Sequence, residues 1–164
     1  MKKVWLAIKD YVYIVVAVVL IRTFLITPAI VDGSSMDNTL NDGQLVIINK
    51  LVYNFKDINR FDIVVLDNET DNDKIIKRVI GLPGEKIEYK NNELYINDKL
   101  VKSEIEFVDT EDFVTVTKEN EYFVLGDNRI VSKDSRMLGN FTKEDIVGKV
   151  NLRLFPFKKL GMVK

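Results

Sequence analysis

Residues 62–101 read DIVVLDNETDNDKIIKRVIGLPGEKIEYKNNELYINDKLV, and their punctuation decides the fold class. Short apolar runs rich in valine and isoleucine alternate with clusters of Asn, Asp, Gly and Pro, a pattern of strands broken by turns rather than of amphipathic helices. Five strands are predicted here: Asp62 to Leu66, Lys74 to Ile80, Lys86 to Tyr89, Glu93 to Ile96 and Lys99 to Val101. Asn91-Asn92 and Asn97-Asp98 separate the last three. Asn and Asp tolerate the positive φ of tight hairpin turns, so these three strands are predicted to form a meander. Farther out, Gln44 to Asn49, Tyr122 to Leu125 and Val147 to Leu154 have the same character. The acidic stretches DNETDNDK (67–74) and VDTEDF (108–113) read as solvated loops. Thr142, with Asp145 three residues later, predicts a short helical turn with the threonine as its cap. The chain beyond the N-terminal segment is thus expected to be mainly β.

Toward the N-terminus the pattern changes. From Tyr11 the chain runs YVYIVVAVVLI, then Arg22, then TFLITPAIV. This stretch reaches the roughly 20 residues that cross a bilayer, provided Arg22 extends its aliphatic stem and places its charge among headgroups. Lys2, Lys3 and Lys9 lie on one side and Asp32 on the other. The positive-inside rule then predicts a cytoplasmic N-terminus over 1–10, a single transmembrane anchor over 11–30, and an extracytoplasmic domain over 31–164. A cleaved secretory signal fits less well, because the apolar stretch exceeds the usual core of about 7–15 residues and no A-x-A-like site follows it. The cell membrane is the expected location, with lipid as a partner.

Composition removes most familiar catalytic machinery. Among 164 residues there is no histidine and no cysteine, which excludes a Ser-His-Asp triad, a cysteine nucleophile and the usual zinc ligands. No metal or cofactor is expected. With 24 Lys+Arg against 25 Asp+Glu, the chain lacks the basic excess that phosphate backbones attract, so nucleic acid is not an expected partner.

Nucleophilic hydrolysis is then left with serine or threonine as nucleophile and lysine as base. Within the predicted strand Lys74 to Ile80, the period of two places Ile75, Lys77 and Val79 on one face. A lysine between two β-branched side chains is desolvated, which lowers its pKa toward the range of a useful base. The plainer alternative is an edge-strand lysine whose amine reaches out to water. VDGSSMDNTL (31–40) offers Ser34 and Ser35 after the turn residue Gly33, although a Gly-Ser-Ser run also suits a flexible linker. LGDNRIVSKDSRMLG (125–139) crowds acids, serines and arginines between two glycines, and could equally be a polar loop held by its own ion pairs.

These three clusters, in this order behind one apolar segment, resemble the type I signal peptidases, more closely the compact forms of Gram-positive bacteria. VDGSSMDNTL resembles the nucleophile box, NRFDIVVL the following strand, IIKRVIGLPGE the lysine box and GDNRIVSKDSRMLG the C-terminal box. The resemblance implies coiled antiparallel sheets behind one N-terminal transmembrane helix and no cofactor. It also implies cleavage of signal peptides from exported preproteins after small residues, with the secretion translocase as a neighbour. It makes Ser35, just before Met36, the nucleophile and Lys77 the general base. Ser132 matches a serine that orients the lysine amine, Asp134 and Arg136 a buried charged pair, and Asp127 and Arg78 a second pair. Two positions depart from the family pattern. Asn38 stands where proline is common, which predicts a less rigid turn, and Gly33 stands where Gram-negative relatives carry an oxyanion-donating serine. The competing function is a catalytically weak or inactive relative dedicated to assembling pili or surface proteins. A self-cleaving Ser–Lys repressor would need a regulatory domain in place of the anchor.

Overall fold

Burial alternates along strands that have one covered face and runs unbroken along those covered on both. In the computed structural model, residues 9, 11–16, 18, 25–68, 73–102 and 110–163 are described. The chain begins with β1 (Ile26–Ile30), β2 (Leu45–Asn49), the helical turn α1 (Val52–Phe55), β3 (Ile63–Asn68) and β4 (Asp73–Gly81). Next come β5 (Lys86–Lys90), β6 (Glu93–Ile96), β7 (Lys99–Leu100), β8 (Phe113–Val116) and β9 (Glu121–Leu125). It ends with α2 (Ser135–Leu138), β10 (Phe141–Thr142), β11 (Ile146–Phe155) and β12 (Gly161–Met162).

One sheet runs β1-β2-β11-β3-β4-β9-β10 with β12 on the flank of β11, and a smaller sheet runs β7-β6-β5-β8, every pair being antiparallel. The fold is mainly β, as the sequence predicts. β2 buries Val46 and Ile48 on one face only, whereas β3 buries Ile63 to Leu66 on both. That difference follows from what covers each face: Ile63 and Val65 pack in one apolar cluster with Val46 and Ile48, whereas Val64 and Leu66 pack in a second with Tyr53, Ile58 and Val79. The predicted meander forms with Asn91, Asn92, Asn97 and Asp98 all at positive φ, and β8 joins it against β5. Where β4 leads into β5, Arg60 holds Glu85 through two hydrogen bonds of 2.6 and 2.8 Å and so ties the larger sheet to the start of the smaller.

Three expectations need correction. Ile26–Ile30, assigned from sequence to the end of the anchor, is a strand paired with β2. Its backbone is satisfied by that neighbour, and Pro28 is tolerated because β1 is an edge strand. Residues 11–16 are helical, but among the described residues no helix is long and apolar enough to cross a membrane. Residues 17 and 19–24 of the expected anchor, Arg22 among them, lie outside the described residues, as do Lys2 and Lys3. Second, β8 occupies the end of what reads as an acidic loop, and the short strands β10 and β12 were not predicted. Third, Thr142 caps a tight turn rather than a helix: the Asp145 carboxylate accepts from the Thr142 amide and hydroxyl at 2.6 and 2.9 Å.

Candidate active site

The chain leaves β1 through buried Val31 and turns at Gly33, whose φ of +84° suits glycine. The Gly33 N–H donates to Asp42 at 2.9 Å. From Ser34 to Leu40 the backbone coils back on itself, with Asp37 N–H donating to the Ser34 carbonyl and Leu40 N–H to the Met36 carbonyl. Met36 and Leu40 plug this coil into the core beside Val31 and Val46. Asn38 has a φ of +84°, a value closed to proline because its ring locks φ near −65°. The turn is therefore built differently from one that carries proline, and it is braced by hydrogen bonds such as Asn41 Nδ2 to Asp37 at 3.2 Å.

β4 supplies the basic groups, and its alternation sends consecutive residues to opposite faces. Lys77 is only 3% exposed, so its amine does not reach water as an edge lysine would. Its Nζ donates to Ser35 Oγ at 2.8 Å and to the Ile76 carbonyl at 3.0 Å. Burial lowers the Lys77 pKa from its ordinary 10.5 to about 8, against the opposing pull of Asp134 and Asp127. Arg78, on the other face and fully buried, meets Asp127 through Nε at 2.8 Å and Nη2 at 2.7 Å and donates to the Phe61 carbonyl at 2.8 Å. Thr39 donates to the same Asp127 carboxylate at 2.6 Å, so this pair also anchors the serine turn.

The loop after β9 closes the site. Asp134, with no exposure, accepts from Arg136 Nε at 2.8 Å, Arg136 Nη2 at 2.9 Å and the Gly126 N–H at 3.0 Å. Ser132 is buried close by, but among the described residues its hydroxyl has no hydrogen-bond partner, so the contact with the Lys77 amine that the resemblance implies is not made. The hydroxyl instead lies against Gly126, where an added Cβ would collide with it and with the Ser35 carbonyl. Sequence reasoning missed four contributors: Thr39, Gly126, Arg129 and Asn128. Arg129 holds the Gly126 carbonyl at 2.9 Å and lies over the Tyr89 ring, 5.0 Å from its centroid, while Asn128 contacts the serine turn directly.

Ser35 and Lys77 open onto a cleft of about 150 Å³ bounded by Ile30, Gly33, Met36 and Ile76. β4 pairs with β3 from Asp73 to Arg78 but with β9 only from Arg78 onward. Among the described residues the other edge of 73–77 thus carries no strand, and it faces this cleft. Among the described residues no three carboxylates converge as metal ligands. A hydroxyl hydrogen-bonded to a desolvated amine, beside an open strand edge, is equipped for acyl transfer to serine.

Residues 4–155 match the family model described as signal peptidase, peptidase S26. The chain is 41% identical over 169 residues to a signal peptidase I of Bacillus amyloliquefaciens, covering 95% of this chain and 90% of the relative. It is 37% identical over 162 residues to signal peptidase IB of Staphylococcus aureus, covering 85% and 83% respectively. Among solved structures it resembles a signal peptidase I from Enterococcus faecalis, with a TM-score of 0.52 and 33% identity over 57% of this chain and 97% of that one.

Proposed function

Because the chain belongs to the type I signal peptidases of the peptidase S26 family, we propose that it removes signal peptides from exported preproteins through a Ser35–Lys77 dyad. The observation that carries this reading is the 2.8 Å hydrogen bond from Lys77 Nζ to Ser35 Oγ, made by an amine whose burial lowers its pKa to about 8. An extended peptide lies along the open edge of β4 at residues 73–77, taking backbone hydrogen bonds there. Neutral Lys77 accepts the Ser35 proton as Oγ attacks the scissile carbonyl, then returns it to the departing amine. The same base activates the water that hydrolyses the acyl-enzyme. Asp134 with Arg136, and Asp127 with Arg78, hold the loop and the serine turn around this pair.

The catalytic domain works at a membrane surface, with its N-terminal segment as anchor. Support comes from the outer face of the main sheet, where register aligns two apolar rows. One is Pro28, Ile47, Leu152 and Met162; the other is Ile30, Leu45 and Phe155. Met162 is 69% exposed and the neighbouring Phe157 78%, so this apolar face is open and begins where the N-terminal segment ends.

The test is incubation of the detergent-solubilised protein with a preprotein. Cleavage by the wild type and none by Ser35→Ala is the expected result; equal processing by both would overturn the assignment of the nucleophile, and none by either would favour an assembly factor.

A further inference from the structure

The serine turn is gripped from the far end of the chain by one side chain that the dyad does not use. Asn128 donates its backbone N–H to the Ser35 carbonyl at 3.0 Å and its side-chain Nδ2 to the Ser34 carbonyl at 3.1 Å. Two consecutive carbonyls of the turn therefore accept from this one residue, and the Ser34 carbonyl accepts in addition from the Asp37 N–H at 3.2 Å, so the Asn128 side chain supplies one of the two donors that set its direction. The Ser34–Ser35 peptide is planar and trans, so its N–H points opposite to its C=O. A donor that fixes the Ser34 carbonyl consequently fixes the direction of the Ser35 N–H. Among the described residues that N–H takes no acceptor, and Ser35 lines the cleft. An unengaged N–H on the nucleophile itself is suited to receive the negative oxygen that forms on the attacked carbonyl. Gly33 cannot help, since it has no hydroxyl and its own N–H is held by Asp42.

We infer that the Asn128 side chain is a positioning residue that aims the Ser35 N–H at the developing oxyanion. The inference rests on the acyl-transfer reading above. Its effect falls on the transition state rather than on substrate binding, because the ground-state carbonyl needs that donor far less than the tetrahedral oxyanion does. The Asn128 backbone bond to Ser35 is kept when alanine or aspartate replaces the side chain, so the turn stays docked in both variants.

The experiment compares preprotein cleavage by wild type, Ser35→Ala, Asn128→Ala and Asn128→Asp, with kcat, KM, melting temperature and pH profile measured for each. Loss of a whole oxyanion donor costs about 10²–10³ in rate, so misaiming one is expected to lower kcat by about 10–100-fold. KM should stay within about twofold, melting should be unchanged, and the alanine variant should keep the acid-limb midpoint of the wild type. Asn128→Asp, which places an acceptor where the donor was, should be at least as slow as the alanine variant. Wild-type kcat in both variants overturns the inference, as does a rise in KM at constant kcat or a rate loss matched by a loss of melting temperature. Absence of cleavage by the wild type itself overturns the dyad reading, and the inference with it.

Discussion

Replacing Asp134 by alanine removes one carboxylate that serves three groups at once: the Arg136 guanidinium, the Gly126 N–H and the first turn of α2 through the Arg136 amide. Stranding one member of a buried ion pair costs about 3–5 kcal/mol. Arg136 retains 22% side-chain exposure and can turn partly toward water, which pulls its share toward the low end. Gly126 is buried and cannot relax in that way; an unsatisfied N–H there costs about 1–3 kcal/mol. Because one carboxylate carries all three roles the costs overlap, and a total of about 3–5 kcal/mol is expected. For a chain of this size each kcal/mol moves the melting temperature by about 2–4 °C, so Asp134→Ala should melt about 6–20 °C below wild type. Asp134→Asn gives a second reading, since it keeps an acceptor for Gly126 and removes only the charge. Asp134 raises the Lys77 pKa against the effect of burial, so losing its charge should move the acid limb of activity below pH 8. Scanning calorimetry and a pH profile of kcat/KM measure both effects. An alanine variant melting within about 2 °C of wild type, or an asparagine variant whose acid limb moves upward, would refute the reasoning.

Lys77→Met should be inactive yet more stable than wild type at neutral pH. The folded state disfavours the ammonium by the fall from 10.5 to about 8, about 3 kcal/mol, a penalty present below pH 8 and relieved as pH rises to 10.5. Denaturant melts of both proteins at pH 7 and pH 10.5 should show the methionine variant's advantage shrinking at the higher pH. Asn38→Pro cannot reach the native φ of +84° and should lose more than about 1 kcal/mol, whereas Asn38→Gly should be near neutral, as read by urea unfolding. Protease added outside intact cells should digest the domain from Val31 onward and spare the first ten residues; the reverse pattern would invert the proposed topology.

The lysine of the proposed dyad was legible because it lies in a strand, β4, whose register with β3 is unbroken. Alternation alone places Lys77 on an apolar face with Ile75 and Val79, and the structure buries it. Ser35 was legible only through resemblance, since Gly-Ser-Ser carries no periodic signal. Asn128 and Thr39 were missed for a plain reason: their contacts bridge sequence separations of 94 and 88 residues, which no local pattern encodes. The boundary at β1 was misplaced because Ile26–Ile30 is as apolar as the segment before it. Pro28 was the available clue, since it suits an edge strand better than a helix interior. β10 and β12 have two residues each and exist through their partners β9 and β11, so hydropathy could not announce them. Ser132 shows the limit of carrying roles across a family, because its hydroxyl is buried here without the lysine contact.

The central claim is that desolvated Lys77 is the base for Ser35, and the pH dependence of kcat/KM tests it most directly. With a pKa of about 8, about half of Lys77 is neutral at pH 8 and about one part in a hundred at pH 6. At the ordinary value of 10.5, only about 0.3% would be neutral at pH 8. The neutral amine is the active form, so activity should rise along an acid limb with its midpoint near pH 8. Lys77→Arg, whose guanidinium keeps its proton throughout this range, should show no cleavage. A midpoint at or above 10.5, or substantial cleavage by Lys77→Arg, would contradict the account.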